Sequence, residues 1–262
     1  ELNELVEEHG EDSDYIRWTV RGLFPRAVST QFIALEDVHQ AQRNDAFATQ
    51  DDPLIFGVDV ARQGGAKSVI AVRRGRDCRS IPWRVLQGHD LLLGLMTLVN
   101  TIAAMAQEYK PDAIHVDIGG MGAGVVDRLL ELRVPHVVGV NFGSSSDNPM
   151  PGNPMKYVNK RSEMWGTMKY MLPSIGLPES KDLEKDLTAQ LYGYKADSLV
   201  QLVSKEIMLK QHGIPSPDFG DALALTFAYP VLSRRPGGMM ERVRSGGTGA
   251  QGRALTEYNP LA

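Results

Sequence analysis

Three aspartates stand in apolar stretches where a carboxylate is out of place. Asp59 lies within Leu54-Ile55-Phe56-Gly57-Val58-Asp59-Val60, and Asp117 near the end of Ala113-Ile114-His115-Val116-Asp117-Ile118. Asp221 opens Asp221-Ala222-Leu223-Ala224-Leu225-Thr226-Phe227. Burying an ionised carboxylate is costly unless something pairs with it. Three such groups from distant parts of a chain can converge on a hard cation, because oxygen ligands suit Mg²⁺ and Mn²⁺. Their mutual repulsion would be relieved by two divalent ions, an arrangement that supports hydrolysis of a phosphodiester. Taken singly, each aspartate is as well explained as a turn former or a helix residue favoured by the dipole. Asp218, after Ser216-Pro217, reads as the cap of the last helix.

Neighbouring cations fit the same chemistry. Arg62 and Lys67 flank the turn after Asp59 and are candidates for holding phosphates. Lys205, upstream of Asp221, either contacts a scissile phosphate, balances the carboxylates, or is a surface lysine paired with Glu206 or Asp182. Lys156, Lys160, Arg161 and Lys169 interleave with Tyr157 and Trp165. This pattern suits a track for a DNA backbone, and equally a helix with one wet basic face and a tryptophan in the core.

The elements that must position these groups follow from the apolar patterning. Residues 1–50 read as a polar, acidic lead-in, and Asp51-Asp52-Pro53 as a boundary. From there strands are expected at 54–60, 67–73 and 80–86, joined by glycine-containing turns as an antiparallel meander. A helix at 90–109 capped by Asp90, a strand at 112–118, a helix near 123–132 and a strand at 136–141 give a parallel crossover pattern. Residues 142–158 read as loop, followed by helices at 160–172 and 181–190, a hairpin at 192–203, and helices at 204–211 and 218–229. The fold class is therefore α/β, a ribonuclease-H-like mixed sheet flanked by helices. In that order the first and fourth strands are neighbours, which places Asp59 beside Asp117. The nuclease-like domain is assigned to 51–232, and 233–262, rich in glycine and arginine, to a flexible tail.

Composition narrows the alternatives. The chain has 262 residues, 42% hydrophobic, with a net charge of -4. That allows a sizeable core but gives no global signature of nucleic-acid binding, so DNA contacts must come from local patches. A single cysteine, Cys78, excludes a disulfide framework, and the six histidines show no metal-ligand spacing. No membrane segment or signal peptide is visible. The chain begins at Glu1 rather than Met and reads as part of a longer protein. Gly64-Gly65-Ala66-Lys67-Ser68 has a Walker-like look but lacks the required glycine before lysine, so no ATPase is expected. No nucleophile-elbow sequence appears.

Lys160-Arg161-Ser162-Glu163-Met164-Trp165-Gly166, the hairpin leading to Ser204-Lys205-Glu206, and Ser216-Pro217-Asp218-Phe219-Gly220-Asp221-Ala222-Leu223-Ala224-Leu225-Thr226-Phe227 together resemble the C-terminal nuclease domain of the large terminase subunit of tailed bacteriophages, headful-packaging type. The likeness runs from Val20 to Val231, and Val20-Arg21-Gly22-Leu23-Phe24-Pro25 is similar to the junction after that family's ATPase domain. The resemblance implies a metal-dependent endonuclease that cuts concatemeric double-stranded DNA, with Asp59, Asp117 and Asp221 as catalytic metal ligands and Lys205 near the second ion. It implies Mg²⁺ or Mn²⁺ as cofactor, an upstream ATPase domain in the full-length protein, the portal ring and small terminase subunit as partners, and the host bacterial cytoplasm as location. The alternatives are a junction resolvase of the same fold and a catalytically silent module that grips DNA or the portal.

Overall fold

The computed structural model describes residues 31–61, 67–87, 91–146, 156–195 and 199–232, with side chains in the second helix from residue 94 on. Strands β1 (Leu54–Asp59), β2 (Ser68–Arg74), β3 (Arg84–Leu86), β4 (Ala113–Asp117) and β5 (Val137–Val140) form one sheet in the order β3-β2-β1-β4-β5. β1 pairs antiparallel with β2 and parallel with β4, while β4 pairs parallel with β5. This is the meander-then-crossover arrangement of a ribonuclease-H-like sheet. Every residue of β1 and β4 is buried, as expected of central strands covered on both faces.

Helices cover the two faces unequally. α2 (Leu91–Tyr109) and α3 (Gly122–Glu131) lie on one face, where Leu98, Val99, Ile102, Val125 and Leu129 pack on Phe56, Val58, Ile114 and Val116. On the other face lies α7 (Asp218–Leu225), backed by α4 (Lys160–Met171) and α5 (Lys181–Ala189). The approach of α7 to β1 is so close that a Cβ on Gly57 would sit 2.0 Å from the Ala222 carbonyl oxygen. Only glycine permits that contact. A hairpin, β6 (Tyr192–Lys195) and β7 (Leu199–Leu202), leads into α6 (Lys205–His212), which is capped by Ser204 and closed by Gly213 at φ 66.

Several expected boundaries move. The lead-in assigned to 1–50 is, in its described part, built into the core: Phe32 and Ile33 are fully buried, and α1 (Leu35–Arg43) places Val38 and Ala41 in the same cluster as Trp165 and Leu187. Polar composition had concealed four well-spaced apolar residues. Strand β3 is shorter than the expected 80–86, because the Asp77 carboxylate takes the backbone N–H groups of Arg79 and Ser80 and holds that segment in a turn. The last helix ends at Leu225 rather than 229. There Thr226 and Phe227 donate to Leu223 and Ala224, tightening the chain, and Arg73 takes the Thr226 carbonyl at 2.6 Å. Residues 1–30, Arg62 with the rest of the Walker-like turn up to Ala66, the Asp90 cap and the tail at 233–262 lie outside the described residues. Among the described residues no helix is long and apolar enough to cross a membrane.

Candidate functional site

The parallel register of β1 and β4 pairs Val58 with Val116 and puts Asp59 and Asp117 at the next position along. Side chains alternate along a strand, so Asp59, Gly57, Asp117 and His115 share the face covered by α7. Contacts agree: Gly57 meets Ala222, and His115 Nδ1 donates to the Leu225 carbonyl at 2.8 Å. Burial holds the His115 imidazole at about 4, below its ordinary range, so it is a neutral strut for the last helix. Asp117 Oδ1 accepts the Gly119 N–H at 2.9 Å, which fixes its carboxylate at the turn after β4.

Asp221 faces this pair from α7. Asp59, Asp117 and Asp221 are 2%, 3% and 0% exposed, which makes their partners decisive. Lys205 Nζ is 2.7 Å from Asp221 Oδ2 and 3.4 Å from Asp59 Oδ1, so one ammonium joins β1 to α7. Asp221 Oδ1 also accepts Arg161 Nε at 3.0 Å and Trp165 Nε1 at 2.7 Å. Burial alone would raise the Asp221 carboxyl, but Arg161 and Lys205 outweigh it and hold the group below the ordinary carboxylate value. The opposite holds at Asp59. Burial pushes its carboxyl well up, and Asp221, Asp218 and Asp117 add to the push against the pull of Lys205. Lys205 itself is raised: burial disfavours its charge, but Asp221 and Asp59 more than compensate. The site is thus an anionic sheet edge short of positive charge at its Asp59 end.

The cations expected on DNA divide. Lys156 is exposed. Lys67 is partly exposed and committed to Asp182 at 2.8 Å, while its backbone N–H donates to Asp218. Lys160 and Arg161 do not form a wet basic face. Lys160 is buried against Glu163 at 2.6 Å and over the Tyr229 ring, and Arg161 is turned inward to Asp221 and to Gln190 Oε1 at 2.9 Å. The physical reason is that the first two turns of α4 are buried all round, so their charges must find partners inside. The surface pairings considered for Lys205 are also replaced, since Glu206 binds Lys210.

Asp218 does not cap α7 as expected. Pro217 occupies the cap position without a side-chain bond, and Asp186 from α5 takes the N–H groups of Phe219 and Gly220 at 2.8 and 3.3 Å. Burial, with Asp218 and Asp221 nearby, pushes the Asp186 carboxyl up to about 7 despite those two N–H groups. Trp165 was read only as an aromatic of the basic stretch or a core tryptophan, and Gln190 and Asp186 were not singled out from sequence. The spacing of Arg161 and Trp165 at i and i+4 puts them on one helix face and was a usable signal for the tryptophan. For Gln190 and Asp186 there was none.

The donor set fits a divalent cation in part. Asp59 is a buried carboxyl whose ordinary charge is unfavourable here, beside a second carboxylate, which is the electrostatic situation a cation relieves. Yet among the described residues no group of three His, Cys, Asp or Glu side chains is placed to hold a metal ion. Lys205 bridges Asp59 and Asp221 there. Asp59 and Asp117 lie on adjacent strands, and Lys205 is closer to Asp221, at 2.7 Å, than to Asp59, at 3.4 Å.

No protein-family model matches the chain. No curated protein sequence matches it. Among solved structures it is similar to the nuclease domain of the large terminase subunit of bacterial virus Sf6, at 18% identity over 76% of this chain and 99% of that one, with a TM-score of 0.59. It is similar, at 17% identity over the same shares and the same TM-score, to a lysine-to-alanine mutant of that domain solved with manganese and beta-thujaplicinol. A calcium form of that mutant, from bacteriophage Sf6, matches at 18% identity over the same shares, again with a TM-score of 0.59. At this level of identity the likeness is one of fold, and it spans essentially the whole of the Sf6 domain.

Proposed function

We propose that the chain is a divalent-metal-dependent DNA endonuclease domain of a phage large terminase subunit, with Asp59, Asp117 and Asp221 as its carboxylates. The observation that carries this reading is the convergence of Asp59 and Asp117 on adjacent parallel strands with Asp221 facing them, bridged by one lysine. The manganese-bearing Sf6 neighbour of the same fold supports it. Asp59 and Asp117 would hold the first ion, and Asp221 would take part in a second once Lys205 withdraws. When bound, such ions polarise the phosphodiester and make water a competent nucleophile near neutral pH.

The chain's own residues supply the rest. The sheet fixes Asp59 and Asp117 in register, so neither carboxylate needs to reorganise on binding substrate. Lys205, with its side chain 25% exposed, neutralises two carboxylates in the resting site and is long enough to turn toward a scissile phosphate instead. Phe142 lies 5.6 Å from its ammonium and covers it from the loop after β5. Lys67 and Lys156, with Arg62 as the candidate that lies outside the described residues, are the remaining candidates for DNA contact. Binding is then sequence-independent and sensitive to salt. The portal ring and the small terminase subunit as partners, an ATPase domain upstream, and the host bacterial cytoplasm as location follow from the same reading.

The test is cleavage of supercoiled and linear double-stranded DNA by the purified chain with Mn²⁺, with Mg²⁺ and with chelator. The reading predicts metal-dependent nicking and linearisation that Asp117→Asn removes. A second reading has its own observation, the lysine lodged between two of the carboxylates: a module that grips DNA or portal without cutting. Absence of cleavage at every Mn²⁺ concentration, with DNA binding intact, would decide for that reading.

A further inference from the structure

The two oxygens of Asp221 are held in different ways. Oδ1 receives the Trp165 indole N–H at 2.7 Å and Arg161 Nε at 3.0 Å, both from buried side chains of α4. Oδ2 receives Lys205 at 2.7 Å, the most exposed of the three partner side chains, and beyond that only a long 3.5 Å contact from Arg161 Nη2. Arg161 is itself anchored: Nη2 donates to Gln190 Oε1 at 2.9 Å and Nη1 to the Val203 carbonyl at 3.3 Å. Gln190 is 1% exposed, and its amide donates to the carbonyls of Leu191 and Val203. The approach of Trp165 depends on a bare backbone, since a Cβ on Gly220 would lie 2.7 Å from the indole ring. Trp165 and Arg161, the latter anchored by Gln190 and Val203, thus hold Oδ1 more tightly than Oδ2.

We infer that Trp165 and Gln190, acting through Asp221 and Arg161, are positioning residues that hold Oδ1 fixed so that Oδ2 can exchange Lys205 for a divalent cation. This rests on the metal-site reading above and extends it to residues that never touch the ion. A carboxylate free to rotate would follow its lysine. One pinned at Oδ1 by a buried indole and guanidinium keeps Oδ2 aimed at the Asp59 edge after the lysine leaves. Outer partners of a metal-binding carboxylate commonly set affinity by ten- to a hundred-fold. Charge cannot account for the effect sought here, because neither an indole N–H nor a glutamine amide carries any.

The test uses two charge-neutral variants of the full chain. Trp165→Phe deletes one donor to Oδ1, and Gln190→Met deletes the acceptor that anchors Arg161. Mn²⁺ binding is measured by calorimetry, and metal-free melting is measured separately to report the packing cost. A Trp83→Phe control removes an indole bonded to the Cys78 carbonyl elsewhere. The expected result is Mn²⁺ affinity about ten-fold weaker in each site variant and unchanged in the control. Equal affinity in folded Trp165→Phe and Gln190→Met, or weakening that merely follows the unfolded fraction, overturns the inference. Failure of the wild-type chain to bind Mn²⁺ at all overturns the underlying metal-site reading instead.

Discussion

Asp186→Asn offers a prediction whose size can be worked from the structure. Asp186 closes the first turn of α7 by accepting N–H groups from Phe219 and Gly220. Its carboxyl is pushed up to about 7, by burial first and by Asp218 and Asp221 after it. In the unfolded chain it titrates at its ordinary value, near 3.8. Between those two values the folded protein holds a proton that the unfolded chain releases, so stability falls as pH rises through that window and stays low above it. The drop over the two units from pH 5 to 7 is about 2–3 kcal/mol. Asparagine keeps an acceptor for both N–H groups and does not titrate. Its weaker hydrogen bonds shift the variant by a constant of roughly 1 kcal/mol, which cancels from the pH dependence. Urea denaturation of both proteins from pH 5 to 8.5 should therefore show the variant gaining on wild type by about 2–3 kcal/mol, most of it below pH 7.5. Parallel stability curves would refute the reasoning, because they would mean the two N–H groups keep Asp186 ionised throughout.

Other outcomes follow from the same geometry. Asp117→Asn should abolish cleavage while leaving the melting temperature within a few degrees of wild type, since its Gly119 bond needs only an oxygen acceptor; unfolding on substitution would show a structural role. Lys205→Met removes the only ammonium shared by Asp59 and Asp221 among the described residues and should cost roughly 1–3 kcal/mol without metal, because buried Asp59 loses its ion pair while Asp221 keeps Arg161 and Trp165. Mn²⁺ should then raise the melting temperature of that variant more than it raises the wild type. Gly57→Ala should destabilise by about 1–3 kcal/mol as its Cβ forces α7 off β1. Cys78, buried with its thiol pushed up to about 12, should ignore thiol reagents until the chain unfolds.

Much of the sheet was legible because its signals are local. Continuous apolar runs at Leu54–Asp59 and Ala113–Asp117, separated by the rest of the meander and a long helix, read as adjacent buried strands, and that order brings Asp59 beside Asp117. Helices capped by Asn159 and Ser180 began where expected, and the one capped by Ser204 began one residue later, at Lys205. What escaped depends on contacts between distant segments. The Lys160-Arg161 pair reads as a surface track, because nothing in its neighbourhood announces that the start of α4 is buried all round. Asp186 caps a helix 33 residues away, a relation with no sequence signature. The packing of Phe32 and Ile33 was hidden by the polar residues around them. Lys205 was recognisable as a neighbour of the carboxylates, but its insertion between two of them is visible only in three dimensions.

The most direct measurement is the anomalous signal of a crystal soaked in Mn²⁺. The account predicts a peak roughly 2 Å from carboxylate oxygens of both Asp59 and Asp117, with Asp221 drawn in as Lys205 moves aside. A soaked crystal with Mn²⁺ bound elsewhere, Lys205 still joining Asp59 to Asp221, and DNA cleavage undiminished would contradict it.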